Sequence, residues 1–191
     1  MMQIIVLSHG LFYITLFADI ILILGVIFSV LVPAHRIWPP PSKSSWQYYL
    51  SWLFIITASV GVPIVGILDW ESSGFTSFLR FIIGGAMIII AGILSYWGIR
   101  TLSLHQSLGL EGKLVTTGPY QHTRNPQYLA LIIFYFAVII IASSYLALLT
   151  GILLIIMYAI TPFSEEPWLL EQYGEEYEKY CSKVPRFLGV S

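Results

Sequence analysis

Charge is what this chain has least of. Only 10% of its 191 residues are Asp, Glu, Lys or Arg, against 57% hydrophobic; a soluble domain normally carries about a quarter charged residues. That scarcity excludes a water-facing surface over most of the molecule. Nine basic residues balance ten acidic ones, for a net charge of −1, which excludes the basic track that a nucleic acid needs. The single cysteine, Cys181, cannot form an internal disulfide and gives no sign of an oxidising compartment. Metal-ligand spacing is also missing: no Cys, His or carboxylate pattern surrounds His105 or His122. Gly84, Gly85 and Gly92 follow no strand, so they are not a dinucleotide fingerprint. Close helix packing is their expected role.

What is present is a series of apolar runs, each near the roughly 20 residues that cross a hydrocarbon core. They cover about 4–32, 46–68, 77–99, 128–142 and 145–160. The first is too long for a signal peptide and lacks its basic flank. The last two are short, separated only by Ser143-Ser144, and too long together for one crossing. They read as a tight helical hairpin. The expected fold is all-α: a polytopic membrane protein with five transmembrane helices in a single domain, 1–191. Five spans place Arg36, Lys43, Arg100, Lys113, Arg124, Lys179, Lys183 and Arg186 on one side and only Arg80 on the other. The positive-inside rule makes the first side cytoplasmic and the N-terminus external.

The segments between spans differ in content. Residues 33–45 contain Pro39-Pro40-Pro41 and read as a stiff connector. Polar residues gather in the loop 100–127 and the tail 161–191, both on the cytoplasmic side. In the tail, Leu169, Tyr173, Tyr177, Tyr180 and Val184 recur at helical spacing, with Glu171, Glu175, Glu176, Glu178 and Lys179 between them. This predicts a C-terminal interfacial helix. Ser164 reads as its cap, with Glu165 and Glu166 in the first turn, where the helix dipole favours anions and Pro167 is tolerated. Asp19 lies mid-span, where an ionisable group is a functional suspect by default; the reading favoured here is a protonated or hydrogen-bonded packing residue.

Two blocks carry a resemblance. Lys113-Leu-Val-Thr-Thr-Gly-Pro-Tyr-Gln-His-Thr-Arg-Asn-Pro-Gln-Tyr128 resembles the "LV..G.Y...R(H/N)P.Y" signature of the isoprenylcysteine carboxyl methyltransferase and phospholipid methyltransferase superfamily. Glu165-Glu-Pro-Trp-Leu-Leu-Glu-Gln-Tyr-Gly-Glu-Glu-Tyr-Glu-Lys-Tyr180, followed by Val184-Pro-Arg-Phe187, is similar to the same superfamily's "EE..L...FG..Y..Y...V.R" tail. The order of the blocks and the hairpin-length gap between them agree as well. The resemblance covers roughly the C-terminal half in detail.

It implies an integral membrane methyltransferase using S-adenosylmethionine, with its site on the cytoplasmic side beneath the tail. Carried over by position, Leu114, Val115, Gly118, Tyr120, Asn125, Pro126, Glu165 and Glu166 are the expected cofactor-binding residues, and Arg124, Tyr128, Glu166 and Arg186 the expected catalytic ones. Tyr180 and Arg186 are expected to close the site or meet the substrate. The residue types suit the chemistry. In-line transfer from a sulfonium depends mostly on holding donor and acceptor together. A carboxylate can take the cofactor's ammonium or ribose hydroxyls, and an arginine presents a planar fork to a carboxylate or phosphate. Asn125 stands where the carboxyl methyltransferases often have His; it keeps hydrogen bonding but cannot titrate near neutrality. The acceptor therefore stays open among a prenylcysteine-type carboxylate, a phospholipid amine and a thiol, with a molecule bearing an apolar portion favoured. The alternatives weighed are an NADPH-dependent membrane reductase of the sterol type, whose members usually have more spans, and a non-catalytic membrane scaffold.

Overall fold

The computed structural model describes residues 2–189; Met1 and residues 190–191, at the ends of the expected 1–191 domain, lie outside them. The described residues are helical, with no strand. In chain order the helices are α1 (Met2–Leu31), α2 (Trp46–Leu68), α3 (Leu79–Leu102), α4 (Leu104–Ser107), α5 (Pro126–Ala142), α6 (Tyr145–Tyr173) and α7 (Glu175–Cys181), with single 3-10 turns at Pro33–His35 and Gly118–Gln121. Four of them, α1, α2, α3 and α6, are long and apolar enough to cross a membrane, and α5 is a shorter apolar helix.

The helix ends follow from local chemistry. Ser45 Oγ accepts from Tyr48 N at 3.3 Å and caps α2. Pro126 opens α5 at a first-turn position, where its missing N–H costs nothing. The two serines between α5 and α6 divide the work of a tight turn: Ser143 takes a left-handed conformation (φ 50°) to end one helix, and Ser144 Oγ accepts from Ala147 N at 3.0 Å to start the next.

The bundle is held by α1 against α2 and α6, and by α5 between α3 and α6. Its centre is an apolar cluster of Ala18, Leu22, Ala58, Val62, Tyr135, Leu154 and Tyr158. Thr15 of α1 meets α2 so closely that a side chain at Gly61 would collide with its hydroxyl. By contrast α2 and α3, although consecutive in the chain, do not pack against one another. Apolar side chains such as Phe17, Leu53, Ile89, Ile93 and Leu149 face outward, as hydrocarbon surroundings favour.

Four expectations need correction. Ser164 does not cap a tail helix, because α6 runs without a break from Tyr145 to Tyr173 and contains both Pro162 and Pro167. Ser164 Oγ donates back to Thr161 O at 2.8 Å, the mid-helix habit of a serine rather than a capping one. The tail pattern is split by Gly174 (φ 53°), which ends α6 and starts the short α7. Of Gly84, Gly85 and Gly92, only Gly84 serves a close contact, against Ile141; Gly85 and Gly92 have open space beside them. Asp19 is fully buried, and neither carboxyl oxygen has a hydrogen-bond partner among the described residues, so the hydrogen-bonded form of that reading does not hold.

Candidate active site

The loop after α3 and the tail after α6 fold onto each other at one end of the bundle, and backbone carbonyls of the tail do much of the joining. Arg124 N donates to Pro185 O at 2.9 Å. Thr123 Oγ1 and Asn125 Nδ2 both donate to Arg186 O, each at 3.0 Å. Tyr180 OH donates to Tyr120 O at 2.7 Å, and Tyr173 OH to Gly112 O at 2.8 Å. The two sequence blocks are thus one structure, stitched by groups 60 to 63 residues apart.

Glu165 and Glu166 are neighbours in α6 with different surroundings. Glu166 is spent on arginines. Arg186 grips it with Nε at 2.8 Å and Nη2 at 2.7 Å, and Arg124 Nη1 stands 3.2 Å from its Oε1. A forked guanidinium pair of this kind is among the stronger ionic contacts, through both charge and geometry. Hydrogen bonding to Glu166 holds the Arg186 guanidinium above its ordinary range, against the opposing effect of burial. Arg124 Nη1 also donates to Cys181 Sγ at 2.7 Å.

Glu165 has no arginine. Its Oε1 accepts from Tyr128 OH and from the indole Nε1 of Trp38, the latter at 2.7 Å. Trp38 comes from the connector 33–45, which the sequence reading treated only as a spacer. The backbone there is fastened to α1: Ile37 N and Trp38 N both donate to Ser29 Oγ, at 2.9 and 3.1 Å. The far side of the indole lies against Gly109, whose left-handed backbone (φ 80°) and missing side chain both matter, since a Cβ there would sit 2.8 Å from the ring. Trp52 adds an edge-on contact at 6.2 Å.

These groups surround a cavity of about 470 Å³, within the range of small-molecule sites. Of the expected residues, Leu114, Val115, Tyr120, Arg124, Asn125, Tyr128, Glu165 and Glu166 are on its wall, as is Tyr180. Gly118, Pro126 and Arg186 are not on that wall. Gly118 turns the loop (φ 60°) against the last turn of α3, where a Cβ would sit 2.9 Å from Thr101 Oγ1. Pro126 is buried at the start of α5, and Arg186 reaches the cavity's edge only by its pair with Glu166. Burial pushes the Tyr120 and Tyr180 phenols above their ordinary range, while Gln127 pulls the first back and Arg124 the second. Both therefore remain hydrogen-bond donors at neutral pH.

The cavity extends from this polar end along the gap between α2 and α3, past Ile55, Ile56, Ser59 and Val60 on one side and Ser95 and Ile99 on the other. Ile56 and Val60 also belong to the outer surface, 56% and 51% exposed. The wall therefore continues from the two glutamates to the apolar flank of the bundle. Sequence reading missed Trp38, Gly109 and this gap; the one available signal was an aromatic residue among the prolines of an otherwise polar connector.

Apolar helices thus carry, at one end, a cavity walled by two adjacent carboxylates and reaching the outer apolar face of the bundle. Residues 79–176, just over half of the chain, match the family model described as phospholipid methyltransferase. The chain therefore belongs to the phospholipid methyltransferase family, a family of membrane methyltransferases. No curated protein and no solved structure matches it.

Proposed function

We propose that this protein is an S-adenosylmethionine-dependent methyltransferase that methylates an acceptor with an apolar portion, reached from the membrane through the gap between α2 and α3. The observation that carries the reading is the continuous cavity, with Glu165 and Glu166 at one end and lipid-facing Ile56 and Val60 at the other. Such a site accepts a polar cofactor from the aqueous end and an apolar chain from the side. The same reading takes α5 as a fifth span, forming a hairpin with α6, and puts the site on the cytoplasmic side with the basic residues.

The residues fit the cofactor. Glu165 keeps Oε2 unclaimed by any donor among the described residues and faces the cavity, so it is the carboxylate for an ammonium or ribose hydroxyl. Glu166, tied to two arginines, fixes the tail across the cavity instead. Leu114, Val115 and Tyr120 supply apolar and aromatic wall, and the cofactor when bound supplies the methyl group on a sulfonium. Holding the acceptor in line with that group, away from water, is what the protein contributes, and good alignment is worth up to roughly 7–11 kcal/mol. The phospholipid, prenylcysteine-type and thiol acceptors are separated by assay. Purified protein in detergent with labelled methyl donor is offered phosphatidylethanolamine, prenylcysteine analogues and simple thiols. Label in a lipophilic acceptor is the expected result. No heat of binding with S-adenosylhomocysteine at millimolar levels, and no transfer to any acceptor, would refute the proposal.

A further inference from the structure

We infer that Trp38 is a positioning residue for the cofactor-binding carboxylate, supplied from outside the segment that carries the family match. The inference rests on the reading of Glu165 given above. Both protein donors to Glu165, Trp38 Nε1 and Tyr128 OH, fall on the same oxygen, Oε1. Oε2 takes no donor and is not among the sealed-off orphan atoms of the described residues, and Glu165 is on the cavity wall. One oxygen is tethered and the other is presented.

Tyr128 alone would leave the carboxylate free to turn about a single hydrogen bond. The second donor fixes its plane, and Trp38 Nε1 also reaches Tyr128 OH at 3.3 Å, closing a three-membered set. An indole N–H only donates, so it never competes for what Oε2 is meant to receive. A charged acceptor makes such bonds about twice as strong as neutral ones. The indole is itself immobilised from three sides. Its backbone is held by Ser29 of α1, its benzo ring lies against Gly109, and Trp52 packs against it at a steep angle. Residues 79–176 hold Glu165 and Tyr128 but not Trp38 or Ser29, so the connector that looks like a spacer completes the site.

A double-mutant cycle on the full chain in detergent decides it, with S-adenosylhomocysteine affinity by calorimetry and steady-state methyl transfer as readouts. Trp38→Phe keeps the ring and removes the N–H. It is expected to weaken S-adenosylhomocysteine binding about tenfold, raising KM for the donor with kcat changed far less. Introduced into Glu165→Ala, which removes the acceptor, the same substitution is expected to add less than about twofold, because the two residues act through one bond. A tryptophan that merely packs would lose the same factor in both backgrounds, and that additivity would overturn the assignment, as would unchanged affinity in Trp38→Phe. Should Trp38→Phe not accumulate as folded protein, Ser29→Ala loosens the same backbone, and the cycle is run with it; a loss of about threefold that disappears in Glu165→Ala is expected, and an additive loss overturns the assignment. Absence of S-adenosylhomocysteine binding by the unmodified chain would remove the proposed function and this inference together. Binding with a flat response to Trp38 removes only the inference.

Discussion

Polar side chains gather at both ends of this bundle, and the two gatherings do different things. At the far end, the turn between α2 and α3 is tied to the turn between α5 and α6. Asp69 Oδ2 accepts from Ser72 Oγ and Ser144 Oγ, each at 2.6 Å, and from Leu146 N at 3.2 Å. Ser143 Oγ donates to Phe75 O at 2.8 Å, and buried Arg80 pairs with Glu71 and lies over Trp70 and Phe81. None of these residues lines the large cavity. At the other end the same residue types surround open space, and Glu165 holds one oxygen back from the protein. Density of polar groups does not separate a staple from a site. Unspent hydrogen-bonding capacity facing a cavity does.

Turnover is expected to depend most on the arginine clasp around Glu166. Arg186→Ala leaves Glu166 with Arg124 alone and frees the tail that covers the cavity. Turnover is expected to fall about 100-fold, in line with losing two charge-assisted bonds, and protease is expected to cut sooner between 174 and 189. Normal turnover with a loosened tail would mean that the cover is not part of the site. Gly109→Ala comes next. The added methyl meets the Trp38 ring, and the left-handed backbone disfavours any side chain. A rise of about tenfold in KM for the methyl donor is expected, measured beside the melting temperature; a lower melting temperature with unchanged KM would show that the loop is only scaffold.

How much of this the sequence displayed depends on the range of the interaction. Apolar runs are local, so the second span, 46–68, matches α2 as expected, and the span from Tyr145 begins where α6 begins. The motif blocks are also local, and eight of the eleven residues carried over from them as cofactor-binding or catalytic reach the cavity wall, as does Tyr180, expected to close it. Ser164 misled because a serine before two glutamates is a capping pattern in isolation, whereas in the structure the preceding helix simply continues through it. Trp38 was invisible because its partner, Glu165, is 127 residues away. Its neighbours Pro39-Pro40-Pro41 announce stiffness and say nothing of what the indole meets. The gap between α2 and α3 was hidden for the same reason, since which helices fail to touch is a property of the whole packing.

The far end offers the opposite test. Asp69→Ala strips one acceptor from three donors, which is expected to lower stability by roughly 1–3 kcal/mol. Turnover and KM of the protein that remains folded are expected to stay as they were, because the staple is a bundle length away from the glutamates. Thermal unfolding in detergent beside the methyl-transfer assay separates the two. A fall in turnover per folded molecule would break the division between staple and site, and would mean that the α5–α6 turn transmits strain down to Glu165.

On α3, two adjacent glycines occupy unlike surroundings. A Cβ on Gly84 would collide with Ile141 of α5, the helix that carries Tyr128 into the site; a Cβ on Gly85 would meet nothing within 4 Å. Gly84→Ala must push α3 and α5 apart, and overpacking of this sort costs about 1–3 kcal/mol. Gly85→Ala adds a methyl to an outward face and removes unfolded-chain freedom, which is worth about 0.4–1 kcal/mol in favour of the folded state where the backbone is already helical. Melting temperatures of the two variants should therefore move in opposite directions, with turnover unchanged in Gly85→Ala. If Gly85→Ala were instead the more damaging of the pair, the outward face of α3 would have to be covered by something other than lipid, and the flank through which an acceptor is proposed to arrive would need to be drawn again.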